Sequence, residues 1–184
     1  MEQKRIAAIV GSLRENSYNR QLAMAAKELI GERAIFEIID YADVPMMNQD
    51  IEYPAPESVC RVREQIKSAD GVWIFTPEYN HSYPGVLKNL IDWLSRPISK
   101  EERKVLSRKP IAISGASPSL GGTVTAQDLL VMLLSMINAN VMNSPKLTVS
   151  NVTQQADETG RLVLTTSLPY LQKQVDAFLK FLDQ

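Results

Sequence analysis

Three short stretches gather residues whose types and spacing suit ligand chemistry. The first is "GSLRENSYN", residues 11–19, which follows the apolar run "IAAIV" and precedes a helical pattern. A strand-to-helix turn of this kind leaves backbone N–H groups free at the positive end of a helix dipole, and both favour an anion. Ser12, Ser17 and Asn19 add neutral donors, and Arg14 adds a planar cation whose fork suits phosphate oxygens. Neither G-x-G-x-x-G nor G-x-x-x-x-G-K-[ST] occurs, which argues against a dinucleotide fingerprint and a triphosphatase loop. A terminal phosphate monoester fits better. From this loop alone, an ordinary βα turn capped by serine fits as well.

The second stretch, "TPEYNHSYPG", sets Tyr79 and Tyr83 just beyond another apolar run. Aromatic surface there offers a place for a flat ligand, and the backbone amides of Pro77-Glu78-Tyr79-Asn80 suit the polar edge of a heterocycle, proline excepted. The plain alternative is a turn with half-exposed tyrosines. The third, "SGASPSLGG", is small and polar, with Ser114 and Ser117 as donors and Gly115, Gly121 and Gly122 admitting close approach. One loop for phosphate and two for a flat ring describe a mononucleotide-like cofactor, with FMN the natural candidate. His81, the only histidine, reads as a rim residue rather than a general acid or base, and no metal-ligand spacing is present. The one cysteine, Cys60, reads as a buried helix residue. With no catalytic side chain, reactivity must come from the cofactor.

These loops need a scaffold, and the patterning supplies one. Short, β-branched runs at residues 6–10, 35–39, 72–75 and 111–114 read as strands, with a fifth at either 141–142 or 147–149. Between them run amphipathic helices. Leu22, Ala25, Ala26, Leu29 and Ile30 share a face after a Ser17 cap and before Gly31, Val59, Val62 and Ile66 line a second helix, and a third opens at Pro84. A last helix carries Leu168, Leu171, Val175, Phe178, Leu179 and Leu182. The helix around residues 129–137, "LLVMLLSMI", is apolar nearly all round and is either deeply buried or covered by another subunit. Strands alternating with helices predict an α/β, three-layer doubly wound fold with a five-stranded parallel sheet in the flavodoxin-like order 2-1-3-4-5. In that order ligands bind beyond the carboxyl ends of the strands, where residues 11–17, 76–83 and 115–122 meet.

The chain of 184 residues is expected to form a single FMN-binding domain over 1–184. Lys and Arg total 20 against 21 Asp and Glu, with no basic block, so neither nucleic acid nor a membrane surface is implied as a partner. No secretory or membrane-spanning segment is evident, which suggests a cytoplasmic protein. The polar stretch "QQADETGRLVLTT" around Gly160 has no assigned role.

The motifs G-S-x-R-x-x-S-x-N and P-E-Y-N-x-S-x-P-G-x-L-K-N, with the later "KPIAISGASPSLGG", resemble those of the flavodoxin-like NAD(P)H-dependent FMN reductases, which include quinone, azo and chromate reductases. The resemblance covers roughly residues 5–150. It implies an FMN-phosphate loop at Ser12, Arg14, Ser17 and Asn19, and an isoalloxazine loop at Pro77, Glu78, Tyr79 and Asn80, with Ser117 in the third loop. It also implies a homodimer or a tetramer with the cofactor near the subunit interface. The activity implied is ping-pong: NADPH or NADH reduces bound FMN, which then reduces a small-molecule acceptor such as a quinone, an azo compound, chromate or free flavin. An electron carrier of the flavodoxin type and a non-catalytic FMN-binding regulator are the rival readings. A carrier loop of the T-x-T-G-N-T type is not what stands here.

Overall fold

Period-two alternation along the strands decides how the chain layers. The computed structural model describes residues 3–97 and 104–184, so the expected unit over 1–184 includes a few positions outside the described residues. The strands are β1 (Arg5–Val10), β2 (Ile35–Ile38), β3 (Gly71–Phe75), β4 (Pro110–Ala116), β5 (Asn140–Val141) and β6 (Leu147–Val149). The principal helices are α1 (Tyr18–Ile30), α2 (Glu57–Ser68), α3 (Gly85–Leu94), α4 (Val124–Met136) and α5 (Leu168–Phe181). Every strand pairing is parallel, in the order β2-β1-β3-β4-β5, as the patterning predicts.

The fifth position differs in one respect. β3 occupies one edge of β4; on the other, β5 pairs with Pro110 and Ile111 while β6 pairs with Ser114 to Ala116. The two segments offered as alternatives are therefore both used, as one interrupted strand. Pro145 lies between them and has no N–H to give to a ladder.

Successive side chains of a strand face opposite layers. Ile6, Ala8 and Val10 of β1, with Trp73 and Phe75 of β3, cluster with Leu22, Ala26 and Ile30 of α1 and with Val175 and Phe178 of α5. Ala7, Ile9, Val72, Ile74, Ile111 and Ile113 cluster instead with α2, α3 and α4. Both faces of the sheet are covered, as parallel sheets require, and each fully buried Leu, Ile or Phe contributes about 1.5–3 kcal/mol of transfer free energy. Ser17 caps α1, its hydroxyl accepting from the Asn19 N–H at 3.2 Å, and Gly31 ends it at φ +56°. Pro84 stands at the cap position of α3.

Two expectations are corrected and one open alternative is narrowed. Cys60 is exposed, not buried: Val59, Val62 and Ile66 turn α2 toward the sheet and leave the intervening position outside. α4 is not deeply buried, because Leu130 and Leu134 reach the core while Met132 and Met136 are 61 % and 83 % exposed. Ser114 is no loop donor. It lies within β4, accepts from Trp73 Nε1 at 2.8 Å and donates to Gln174 Oε1 at 2.6 Å. Gln174 Nε2 in turn donates to the Ile113 carbonyl at 2.9 Å, which satisfies these polar groups inside the apolar layer. Among the described residues no helix is long and apolar enough to cross a membrane.

Candidate functional site

Parallel β1, β3 and β4 end on one side of the sheet, and short bonds tie the loops that follow them. The Gly11 N–H donates to the Phe75 carbonyl at 2.7 Å, and the Thr76 N–H to the Ser114 carbonyl at 2.9 Å. Asn19 Nδ2 donates to the Ala116 carbonyl, and Asn19 Oδ1 accepts from the Ala116 N–H, both at 2.9 Å. Tyr41 Oη donates to the Val10 carbonyl at 2.6 Å, and burial with Tyr79 nearby pushes its phenol far above the ordinary range. The edge is thus braced from β2 across to β4.

The first loop divides its expected donors between structure and solvent. Asn19 is buried with both ends of its amide on Ala116, so it braces the loop, and of its two Nδ2 protons one goes to that carbonyl. Ser17 is buried as the cap of α1. Ser12 Oγ accepts from the Arg14 N–H at 3.4 Å. Arg14 itself is exposed, its guanidinium carbon 5.9 Å from the centre of the Tyr18 ring, with no carboxylate at salt-bridge distance among the described residues. The N–H groups of Ser12, Leu13 and Asn16 likewise have no partner among the described residues.

The second loop is a tight reversal. The Tyr79 N–H donates to the Ser82 carbonyl at 2.9 Å and the Ser82 N–H returns to the Tyr79 carbonyl at 3.0 Å, with Asn80 at φ +51° and His81 at φ +57°. Two central residues at positive φ make a type I′ turn, which asparagine tolerates and histidine adopts at some cost. The Tyr79 amide is therefore engaged, while those of Glu78 and Asn80 have no partner among the described residues. Pro77 is buried, its carbonyl accepting from Thr76 Oγ1 at 2.7 Å. The Glu78 side chain, 11 % exposed, sends Oε2 to the Ala126 N–H at 2.9 Å and lies 3.5 Å from Nδ1 of the outward-facing His81.

In the third loop, Ser117 Oγ lies 3.1 Å from Ser119 Oγ and accepts from the Ser119 N–H at 3.2 Å; its own N–H donates to the Val149 carbonyl at 3.0 Å. At Gly115 the space that a Cβ would need is filled by the Thr76 carbonyl and Thr123, so that glycine serves strand packing rather than ligand approach. Each loop exposes one large apolar residue: Leu13 at 51 %, Tyr79 at 53 % and Leu120 at 82 %. Such residues on three loops at one sheet edge offer a platform for a flat apolar ring.

The donor set fits FMN. Among the described residues, a guanidinium without a carboxylate partner and free N–H groups at the start of α1 suit a phosphate dianion, and free amides beside exposed aromatic surface suit a heterocycle. A cavity of about 370 Å³ opens beside Arg14, lined also by Asn16, Tyr18, Gln21 and Arg161. Arg161 was not foreseen, since a single arginine after a glycine turn has no spacing that marks it.

The sequence pattern of the family described as NADPH-dependent FMN reductase matches residues 4–154. The chain belongs to that family. Among members of similar sequence, a 2-hydroxy-1,4-benzoquinone reductase from a Burkholderia species is 38% identical over 174 residues, spanning 95% of this chain and 93% of that protein. A quinone reductase from Escherichia coli K12 is 33% identical over 187 residues, spanning 100% of this chain and 97% of that protein. FerB from Paracoccus denitrificans, a flavoenzyme NAD(P)H:(acceptor) oxidoreductase, shares the fold at a TM-score of 0.87 and 34% identity, covering 98% of this chain and 97% of that one. As an FMN reductase family member the chain is an oxidoreductase with FMN as cofactor and NAD(P)H as co-substrate.

Proposed function

We propose that the chain is a cytoplasmic NAD(P)H:quinone reductase whose FMN is held by the loops after β1, β3 and β4. The observation that carries this is the pairing, among the described residues, of an Arg14 with no carboxylate partner and free N–H groups at the start of α1 with exposed Tyr79 and Leu120 at the same sheet edge. Quinones are the acceptor class we favour because two relatives at 38% and 33% identity carry that activity in their names.

In this reading the N–H groups of Ser12, Leu13 and Asn16, with Arg14 and the Ser17 hydroxyl, grip the phosphate. The amides of Glu78 and Asn80 hold the polar edge of the ring, Ser117 borders it, and Tyr79 covers apolar surface. Asn19 and Glu78 act indirectly, by fixing the backbone that donates. FMN held by these residues would supply the redox chemistry, hydride acceptance from NAD(P)H and electron transfer to the acceptor. The chain's own task is to orient two flat substrates in turn over one open face, which gives a ping-pong order. Donors near the ring stabilise negative charge as it develops. The open flank of α4, with Met132 and Met136, is where a second copy packs to form a homodimer.

Initial rates of NADPH and NADH oxidation against a benzoquinone, at several fixed quinone concentrations, test this reading. Parallel reciprocal plots are expected. Absence of turnover with a quinone, an azo dye, chromate and free FMN alike would contradict it and favour a carrier.

A further inference from the structure

Gln21, in the first turn of α1, holds the turn at residues 157–162 by both ends of its amide. Nε2 donates to the Gly160 carbonyl at 3.1 Å, and Oε1 accepts from the Leu162 N–H at 2.7 Å. The turn is also braced from within: Asp157 Oδ1 accepts from the Thr159 N–H at 2.9 Å, Thr159 Oγ1 at 2.6 Å and the Arg161 N–H at 3.0 Å. Gly160 makes the reversal at φ +81°, a conformation that side chains disfavour. So much local order in an exposed polar turn calls for a reason, and the residue it positions is Arg161.

Arg161 and Arg14 line one cavity of about 370 Å³, with Tyr18 and Asn16 between the elements that carry them. Among the described residues neither guanidinium has a carboxylate at salt-bridge distance; Asp157 Oδ1 is turned into its own turn, and Glu15 and Glu28 line a different cavity that Arg161 also borders. Two cations on a cavity whose lining holds no acid repel one another, and a dianion between them reverses the sign. Two planar forks match the several oxygens of a phosphate better than the two of a carboxylate. The family pattern ends at residue 154, so the turn lies outside what that pattern describes.

From these observations we infer that Arg161 is a second phosphate-binding arginine, which closes with Arg14 on a phosphate monoester belonging to one of the enzyme's own nucleotides, FMN or NADPH. The inference rests on the reading of Arg14 and the start of α1 as a phosphate loop. The Gln21 clamp is then a positioning device, and Arg161 touches the ligand.

The test measures what the phosphate contributes to binding. Apoprotein is titrated with FMN and with riboflavin by flavin fluorescence, and the holoprotein with NADP+ and NAD+ by calorimetry. Among the described residues the Arg161 side chain makes no hydrogen bond or salt bridge, so Arg161→Gln is expected to keep the fold. It is expected to shrink one of the two affinity ratios about tenfold, the loss typical of one charge-assisted hydrogen bond at an exposed site. Loss in the FMN-to-riboflavin ratio assigns the seat to the FMN tail; loss in the NADP+-to-NAD+ ratio assigns it to the 2′-phosphate of NADPH. Arg161→Lys should recover part of the loss, and Gln21→Ala should reproduce part of it. If both ratios stay within twofold of the parent protein while Arg14→Ala lowers the FMN-to-riboflavin ratio, Arg161 has no such role and the phosphate loop stands. If Arg14→Ala also leaves that ratio unchanged, both readings fall.

Discussion

Glu78 Oε2 accepts the backbone N–H of Ala126 at 2.9 Å, and so caps α4 from a loop 48 residues upstream. Thr123, at the cap position itself, gives the helix backbone no side-chain cap bond; its hydroxyl accepts from Gln127 Nε2 at 2.9 Å instead. The loop proposed to hold the flavin edge and the helix with the open apolar flank therefore meet at one hydrogen bond. Glu78→Ala removes a helix cap and a negative charge from a helix start, an expected cost of about 1–2 kcal/mol. Urea unfolding measures this, and a weaker FMN affinity of the apoprotein should accompany it. Glu78→Gln keeps an acceptor and should lose less. Parent-like stability and affinity in Glu78→Ala would show that the bond carries neither.

Asn19 joins α1 to β4 through both polar groups of Ala116. Asn19→Ala leaves a buried N–H and a buried carbonyl without partners, which should cost about 2–4 kcal/mol in urea unfolding. Asn19→Asp keeps the acceptor but loses the donor, and should fall between the two. A cost near zero would mean that water replaces the amide.

The exposed methionines of α4 separate interface from core. Met132→Glu and Met136→Glu are expected to convert a homodimer to monomer in sedimentation velocity while leaving far-ultraviolet circular dichroism unchanged. Leu130→Asp, at a fully buried position, should unfold the chain instead. A dimer that survives both glutamates does not use this flank.

Arg96 Nε and Nη2 donate to the two oxygens of Glu52 at 2.6 and 3.1 Å, and this pairing holds the Glu52 carboxyl below the usual carboxylate range. The unfolded chain takes up that proton at higher pH than the folded one, so the stabilisation is complete above the ordinary range and is lost as pH falls through the folded value. Tm should decline on acidification below the ordinary carboxylate range. Glu52→Gln should lower Tm at neutral pH and flatten that acid limb; an unchanged limb would place its origin elsewhere.

Much of this molecule is readable from one chain because its elements obey local rules. Ser17 and Gly31 mark the ends of α1, Pro84 marks the start of α3, and alternation in residues 6–10 assigns side chains to both layers. What sequence reasoning missed depends on partners distant in the chain. Asn19 also ties α1 to the backbone of Ala116, 97 residues away, a role that no local pattern marks. Ser114 looks like loop chemistry until its strand places it beneath Trp73 and Gln174. Glu78 and Arg161 likewise take their roles from tertiary neighbours, for which no periodicity exists.

The most direct measurement is anaerobic. Purified protein is mixed with NADPH or NADH, the visible flavin band is followed, and a benzoquinone is then added. The band should be present in the purified protein, bleach on reduction without any acceptor, and return with quinone at a rate no slower than turnover. A protein that carries no flavin, or whose flavin neither nicotinamide nucleotide reduces, or whose reduced flavin the quinone fails to reoxidise, would contradict the assignment as a quinone reductase.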